Sequence, residues 1–289
     1  MQDFIITTDN MADLPPEYIK EHDLREMYLT YLLEGVNYDE TNGLEPHAFY
    51  EKMRAGSMPT TSQVPIERAK EAFSSWVEVC PNILHLAFSS GLSGTYSSAF
   101  KAAEQLMEER PDCHITVIDT LCASMGQGLI VHKAVMMKEK GASLEEIAAW
   151  VEENKKHVVH SFTVDDLFHL HRGGRVSKTT AILGTMINIK PVMHVDDEGK
   201  LVAVGKVRGR KKAIQALADS FGKQAGSWKD KNDIVFISHG DCLDDALYLK
   251  KLVEKQYGIH EFLIYYVGPT IGAHSGPGTL TLMFMGDVR

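Results

Sequence analysis

Several familiar signals are missing from this chain. It has four cysteines in 289 residues, Cys80, Cys113, Cys122 and Cys242, and no two share a C-x-x-C spacing. Spacing therefore signals neither a zinc ribbon nor a redox pair, and the thiols read as scattered buried residues in a reducing compartment. No apolar run approaches the ~20 residues that a membrane span needs. The opening Met1-Gln2-Asp3-Phe4 has neither the basic region nor the apolar stretch of a secretion signal. Positive charge is scarce: 30 Lys+Arg against 39 Asp+Glu leave a formal net charge of −9, a poor balance for general nucleic-acid binding. There is no G-x-x-x-x-G-K-[ST] loop, and no G-x-G-x-x-G opens a helix after the first strand, so self-contained nucleotide chemistry is unsupported. These absences predict a soluble, cytoplasmic protein with no nucleic-acid partner and no integral membrane segment.

What is present is ordinary for a globular protein: 44% hydrophobic and 24% charged residues, which excludes disorder as the main theme. At ~150 residues per domain the length predicts about two domains. The first half alternates strand-like and helix-like segments. Residues 4–8 and 115–119 read as strands, and Ile83-Leu84-His85-Leu86-Ala87-Phe88 as a buried one. Residues 26–38 read as a hairpin turning at Glu34-Gly35. Helices are predicted over 46–55, 65–78, up to about Arg110 after Gly94, over 126–140, and from Ser143 with a capping-box spacing to Glu146. This rhythm predicts an α/β fold with a parallel sheet. The second half mixes a helix over about 164–170, an apolar helix over 179–187, a hairpin around Asp197-Glu198-Gly199, and helices and strands to residue 285. It reads as α+β. The boundary falls near residues 158–163, giving an N-terminal α/β domain over 1–160 and a C-terminal domain over 161–289.

Chemistry concentrates in a few places. The turn after the buried strand, Ser89-Ser90-Gly91-Leu92-Ser93-Gly94-Thr95, joins a strand's carboxyl end to a helix start. Ligands gather at such places, and hydroxyls with bare amides make a neutral anion cradle; plain capping by Ser93 is the simpler reading. Thr60-Thr61-Ser62-Gln63 is a second hydroxyl cluster, which could equally cap the following helix. Facing the first, it would complete a site for one carboxylate or phosphate. Gly91-Leu92-Ser93-Gly94-Thr95 is not the G-x-S-x-G elbow. A Ser93–His274–Asp9 triad can be drawn, and only geometry can decide it. His169-Leu170-His171 lacks a third ligand at a metal spacing. Basic residues cluster once, at Arg172, Arg175, Lys178, Lys206, Arg208, Arg210, Lys211 and Lys212. That is either a solvated rim or a place for phosphate or an acidic partner. Residues 268–278 are too Gly-rich for an ordinary connector, and His274 within them is the best single histidine candidate.

Taken together and in order, these pieces resemble the DegV family. They are Thr8-Asp9 with Asp13-Leu14-Pro15, Thr61-Ser62-Gln63, Ser89 to Tyr96, Gly173-Gly174-Arg175-Val176, Ile189-Lys190-Pro191, Lys206-Val207-Arg208 and Gly272 to Gly278. The resemblance covers essentially the whole chain, with Asn10 where the family usually has Ser. It implies two α/β domains with a ligand between them, and a long-chain fatty acid as that ligand. The tail would lie in an apolar tunnel and the carboxylate on Thr61, Ser62, Ser93, Gly94 and Thr95, with His274 near the head group. It also implies a protein that is not catalytic alone and holds no metal or cofactor. Such a protein is the fatty-acid-binding subunit of a fatty acid kinase. A separate ATP-binding subunit makes an acyl phosphate for phospholipid synthesis, and Arg175 and Arg208 would meet the phosphate or that subunit. The alternative from the residues is a hydrolase or acyltransferase with Ser93 as nucleophile.

Overall fold

The strand Ile5–Asp9 (β1) is buried along its whole length, as befits a central strand of a parallel sheet covered on both faces. In this computed structural model, which describes residues 3–177 and 188–289, β1 lies between Arg25–Met27 (β2) and Asn82–Ala87 (β6), and His114–Asp119 (β7) completes a four-stranded parallel sheet. Two of its buried threonines pair within the sheet. Thr8 Oγ1 donates to the Leu86 carbonyl at 2.8 Å, and Thr7 Oγ1 lies 2.9 Å from His85 Nδ1. The short helix Pro16–Glu21 (α1) links β1 to β2.

The helices Ile66–Val77 (α3) and Thr95–Glu109 (α4) cover one face of this sheet, burying Phe73, Trp76, Ala99 and Leu106 against Ile83 and Ile115. Met125–Glu139 (α5) covers the other face. It is apolar nearly all round, and a helix of that kind must be buried on all sides. Phe4, Ile6, Leu84 and Leu86 pack on it from the first sheet, and Phe236, Met283 and Met285 from a second. The two sheets thus share one core through α5. Leu144–Asn154 (α6) follows, with Ser143 and Glu146 forming the expected capping box.

The second sheet has six strands: Val158–Thr163 (β8), Ile189–Val195 (β9), Leu201–Arg208 (β10), Val235–His239 (β11), Phe262–Tyr266 (β12) and Leu280–Met285 (β13). Their order is β10-β9-β8-β13-β11-β12, and only β11 and β12 run parallel. The period of two decides what each face meets. On β13, Leu280, Leu282 and Phe284 pack under the helices Arg210–Gln224 (α8) and Leu243–Tyr257 (α9). Met283 and Met285 turn to α5 instead. The turn after β8 leads into Leu167–Arg172 (α7). The apolar helix expected over 179–187 and Lys178 lie outside the described residues.

Two expectations differ from what forms. The segment 26–38 divides: β2 joins the parallel sheet, and only Thr30–Leu33 (β3) and Val36–Tyr38 (β4) make the hairpin. Its turn has Glu34 at φ 54° and Gly35 at φ 82°, the two left-handed residues of a tight hairpin turn. Thr60–Ser62 is a strand (β5) paired antiparallel with β3, Tyr31 opposite Thr61, and does not cap α3. The Gly-rich stretch forms the helix Pro269–Ser275 (α10). A Cβ on Gly272 would lie 2.5 Å from Tyr50 Oη. That glycine lets α10 seat against Pro46–Arg54 (α2), where Tyr50 Oη donates to the Val267 carbonyl at 2.7 Å.

Candidate functional site

A cavity of about 270 Å³ opens where the carboxyl ends of the parallel strands face the second sheet, with α10 as a side wall. The loops around it are held by buried acids. Asp9, at the end of β1, accepts from the amides of Phe88 at 2.8 Å and Met11 at 3.1 Å, and from Gln127 Nε2 at 3.1 Å. Burial pushes its carboxyl up to about 6, against those hydrogen bonds. Ser89 Oγ donates to the Gly199 carbonyl at 2.8 Å, tying the turn after β6 to the tip of the β9–β10 hairpin.

One end of the cavity is rich in hydroxyls. The Val64 amide donates to Thr95 Oγ1 at 3.3 Å, Thr95 Oγ1 lies 2.9 Å from Ser93 Oγ, and the Thr95 amide donates to Ser93 Oγ at 3.2 Å. With donors running in that direction, the Ser93 hydrogen is left for the cavity. Across from it, Thr61 Oγ1 lies 2.7 Å from His274 Nε2. The register of β5 on β3 turns Thr61 inward. In the Nε2–H tautomer the ring donates to Thr61 and releases the Thr61 hydrogen as well. Gln63 packs against Gly94, where a Cβ would lie 2.1 Å from Gln63 Oε1. Ser275 Oγ lines the same space, buried and without a hydrogen-bond partner among the described residues. Sequence reasoning passed over it, although it adjoins His274 in the Gly-rich run. The rest of the lining is mainly apolar, with Met11, Leu29, Phe88, Phe162 and Met283 among it.

The candidate residues divide. Thr61, Ser93, Gly94, Arg175 and His274 line the cavity. Ser62, Thr95 and Arg208 do not: Ser62 is exposed on β5, Thr95 is fully buried behind Ser93, and Arg208 is exposed at the end of β10. Arg175 directs Nε and Nη2 at the Leu92 carbonyl, at 3.2 and 3.0 Å, and Nη1 at the Gly173 carbonyl. Arg172 holds the carbonyls of Pro59 and Ala273, and Arg210 pairs with Asp245 and Asp165. Much of the basic cluster therefore braces the fold. The triad is not assembled. His274 bonds Thr61 and not Ser93, and its Nδ1 has no partner among the described residues and abuts Gly173. Asp9 is spent on amides. The His169–His171 pair joins no metal cluster among the described residues. There the single His/acid group of suitable spacing is His47, Glu51 and Asp241 on the surface, already ion-paired through Arg54.

Burial, and then the Arg175 and Arg172 charges, push His274 down to about 4. A ring held below its ordinary value of 6.5 gains no proton between pH 6.5 and 4 while the unfolded chain does. Its contribution to stability is therefore complete above pH ~6.5 and declines as pH falls towards 4. The His274 ring proton signals in an NMR titration are expected to stay flat from pH 8 to about 5; an inflection near 6.5 would contradict the neutral ring.

An α/β protein with a hydroxyl-ended, mostly apolar cavity between two sheets is thus defined by geometry alone. The model of the DegV family, described as uncharacterised proteins, matches residues 3–287. A DegV domain-containing protein of Clostridium perfringens is 43% identical over 291 residues, covering 100% of this chain and 99% of that one. Among solved structures, one described as fatty acid binding of a DegV family protein from Thermus thermophilus aligns with a TM-score of 0.86 at 30% identity, over 99% of this chain and 100% of that one. Bacillus subtilis DegV, described as a fatty acid binding protein, aligns with the same score at 29% identity and the same coverage. The chain belongs to the DegV family. Among its described residues no helix is long and apolar enough to cross a membrane.

Proposed function

We propose that this protein binds one long-chain fatty acid and presents its carboxylate to a separate ATP-dependent kinase subunit in the cytoplasm, without catalysing a reaction alone. The observation that carries this reading is the pairing, in one cavity, of the Thr61 and Ser93 hydroxyls with an apolar body. The relatives described as fatty acid binding support it. In this reading residues 1–160 and 161–289 are two units and the acyl chain lies between them. Each buried methylene contributes about 0.8 kcal/mol, so the tail supplies most of the affinity. Thr61 and Ser93 donate to the carboxylate, with Gly94, His274 and Ser275 beside it. Thr95 acts from behind and orients Ser93, and Ser62, exposed on β5, takes no part in holding the carboxylate.

Hydroxyl donors leave a carboxylate more nucleophilic than a tight ion pair would. A carboxylate oxygen attacks the terminal phosphorus of ATP held by the partner. The phosphoanhydride bond breaks, ADP leaves, and an acyl phosphate remains. In this reading Arg175 and Arg208 meet the phosphate or the partner, and transfer of this kind depends on such cations. Native mass spectrometry of the freshly purified protein, followed by denaturing extraction, tests the binding. A co-purified long-chain fatty acid is expected. A protein that carries none and takes up none refutes the reading. Acyl phosphate formed only when kinase subunit and ATP are both supplied tests the second half.

A further inference from the structure

The cavity wall holds hydroxyls besides those of Thr61 and Ser93. Thr281, from β13, and Ser124, just before α5, bring hydroxyls into the lining beside Phe162 and Met283. Both belong to one buried chain of hydrogen bonds. Ser124 Oγ donates to Asp13 Oδ2 at 2.5 Å, Ser124 Oγ lies 2.9 Å from Ser238 Oγ, and Ser238 Oγ lies 2.7 Å from Thr281 Oγ1. The Ser238 amide also donates to Thr281 Oγ1, at 3.0 Å. At the inner end, Asp13 Oδ1 accepts from the Gly268 amide at 2.9 Å. No cation pairs with this carboxyl among the described residues. Burial pushes it up to about 8, and the charged groups acting on it, Glu26 and Asp9, are also acids.

The hydrogens can be counted. Three hydroxyls and one carboxyl make three links. With Asp13 ionised, all three hydroxyl hydrogens point along the chain towards it, and Thr281 offers the cavity a lone pair. With Asp13 protonated, the chain reverses and the Thr281 hydrogen is free for the cavity. A ligand hydroxyl is both donor and acceptor and suits either state. A methylene at that point leaves the polar capacity without a partner, which is costly. The Ser124 backbone adds a second observation. It sits at φ 52°, ψ −143°, and its side chain does not cap α5. A non-glycine residue rarely adopts such a conformation, and strain of this kind persists where surrounding structure holds it, often at binding sites. Here it delivers the Ser124 hydroxyl to Asp13 and Ser238.

We propose that Thr281, backed by Ser238, Ser124 and Asp13, forms a second polar subsite in the acyl cavity, and that the ligands of this protein include fatty acids carrying an oxygen substituent, a hydroxyl above all, along the chain. This rests on the fatty-acid reading above and narrows it.

Equilibrium binding of stearic acid and of a positional series of hydroxystearic acids to the full chain tests it. A fixed hydroxyl serves one place along a chain. One position in the series is therefore expected to bind at least as tightly as stearic acid, with isomers remote from it weaker by about tenfold. Thr281→Val removes the hydroxyl while keeping the shape. It is expected to lower the ratio of best-hydroxystearate to stearate affinity by about tenfold. A wild-type series in which every hydroxystearate binds more weakly than stearate overturns the subsite and leaves the fatty-acid reading standing. A protein that binds neither kind overturns both. Should the variant fail to fold, the wild-type series alone decides.

Discussion

Protein carrying Thr61→Val and Ser93→Ala together is expected to lose long-chain fatty acid affinity by at least about a hundredfold while remaining folded. A hydrogen bond to a charged group contributes about 1.5–3 kcal/mol, and each 1.4 kcal/mol is about a factor of ten in affinity. Both hydroxyls face the cavity, and neither supports the sheet around it. Thr61→Val also strips His274 Nε2 of its partner, so the two changes need not add. Residual affinity is expected, because the apolar body still buries the tail. Displacement of a fluorescent fatty acid, with a thermal melt to show that the fold survives, measures this. An affinity within threefold of wild type would remove these two hydroxyls from the head-group site.

The second large effect belongs to Gly91. A Cβ there would lie 2.5 Å from the Glu198 carbonyl oxygen and 2.9 Å from both the carbonyl carbon and oxygen of Gly199. These are backbone atoms at the tip of the β9–β10 hairpin, the same tip that Ser89 Oγ holds. They cannot swing aside as a side chain can. Gly91→Val is therefore expected to lift the hairpin from the turn after β6. Leu92, Val195 and Leu201 line the cavity on either side of that contact, so lifting it admits water to the acyl site. Stability is expected to drop by about 1–3 kcal/mol, the usual cost of overpacking, and retention of fatty acid to be lost with it. Gly205→Ala in β10 is the control. There the Cβ would meet only Val192 Cβ, at 3.8 Å, and a change within about 0.5 kcal/mol is expected. Denaturant unfolding of the two variants side by side would decide. Equal stability for Gly91→Val and wild type would show that the hairpin tip is not clamped there.

Local signals were read correctly where the local physics is strong. Ser143 and Glu146 announced a capping box because both partners lie within one turn. Glu34-Gly35 announced a tight turn because few residues tolerate two successive left-handed conformations. The continuous apolar run at 83–88 announced a strand buried on both faces. Where a neighbour distant in sequence decides, the reading went astray. Glu26-Met27 has the look of a hairpin arm, yet a free edge beside β1 takes Arg25–Met27 into the parallel sheet. Thr60–Ser62 has the look of a cap, yet β3 offers it a partner, and that pairing is what points Thr61 inward. Glycines at 268–278 argue against a helix on propensity. Packing against Tyr50 overrides them, because only a residue without a side chain fits at Gly272.

Read alone, the chain yielded the class of fold and the kind of groups available: hydroxyls near strand ends, one histidine in a Gly-rich run, and apolar strands enough for two sheets. Those follow from period, composition and local turn chemistry, which short stretches carry, while the family follows from the resemblance of motifs in their order. Which hydroxyls share a cavity is fixed by the packed chain. Thr61 and His274 meet at 2.7 Å across 213 residues, and Ser124 and Ser238 at 2.9 Å across 114. The same packing also decided that both terminal nitrogens of Arg172 and most of Arg175's donors are bound to carbonyls, and that Asp13 lies buried with no cation among the described residues. The physical reason is that burial and hydrogen-bond partnership belong to the packed whole, and no window along the chain contains both members of these pairs.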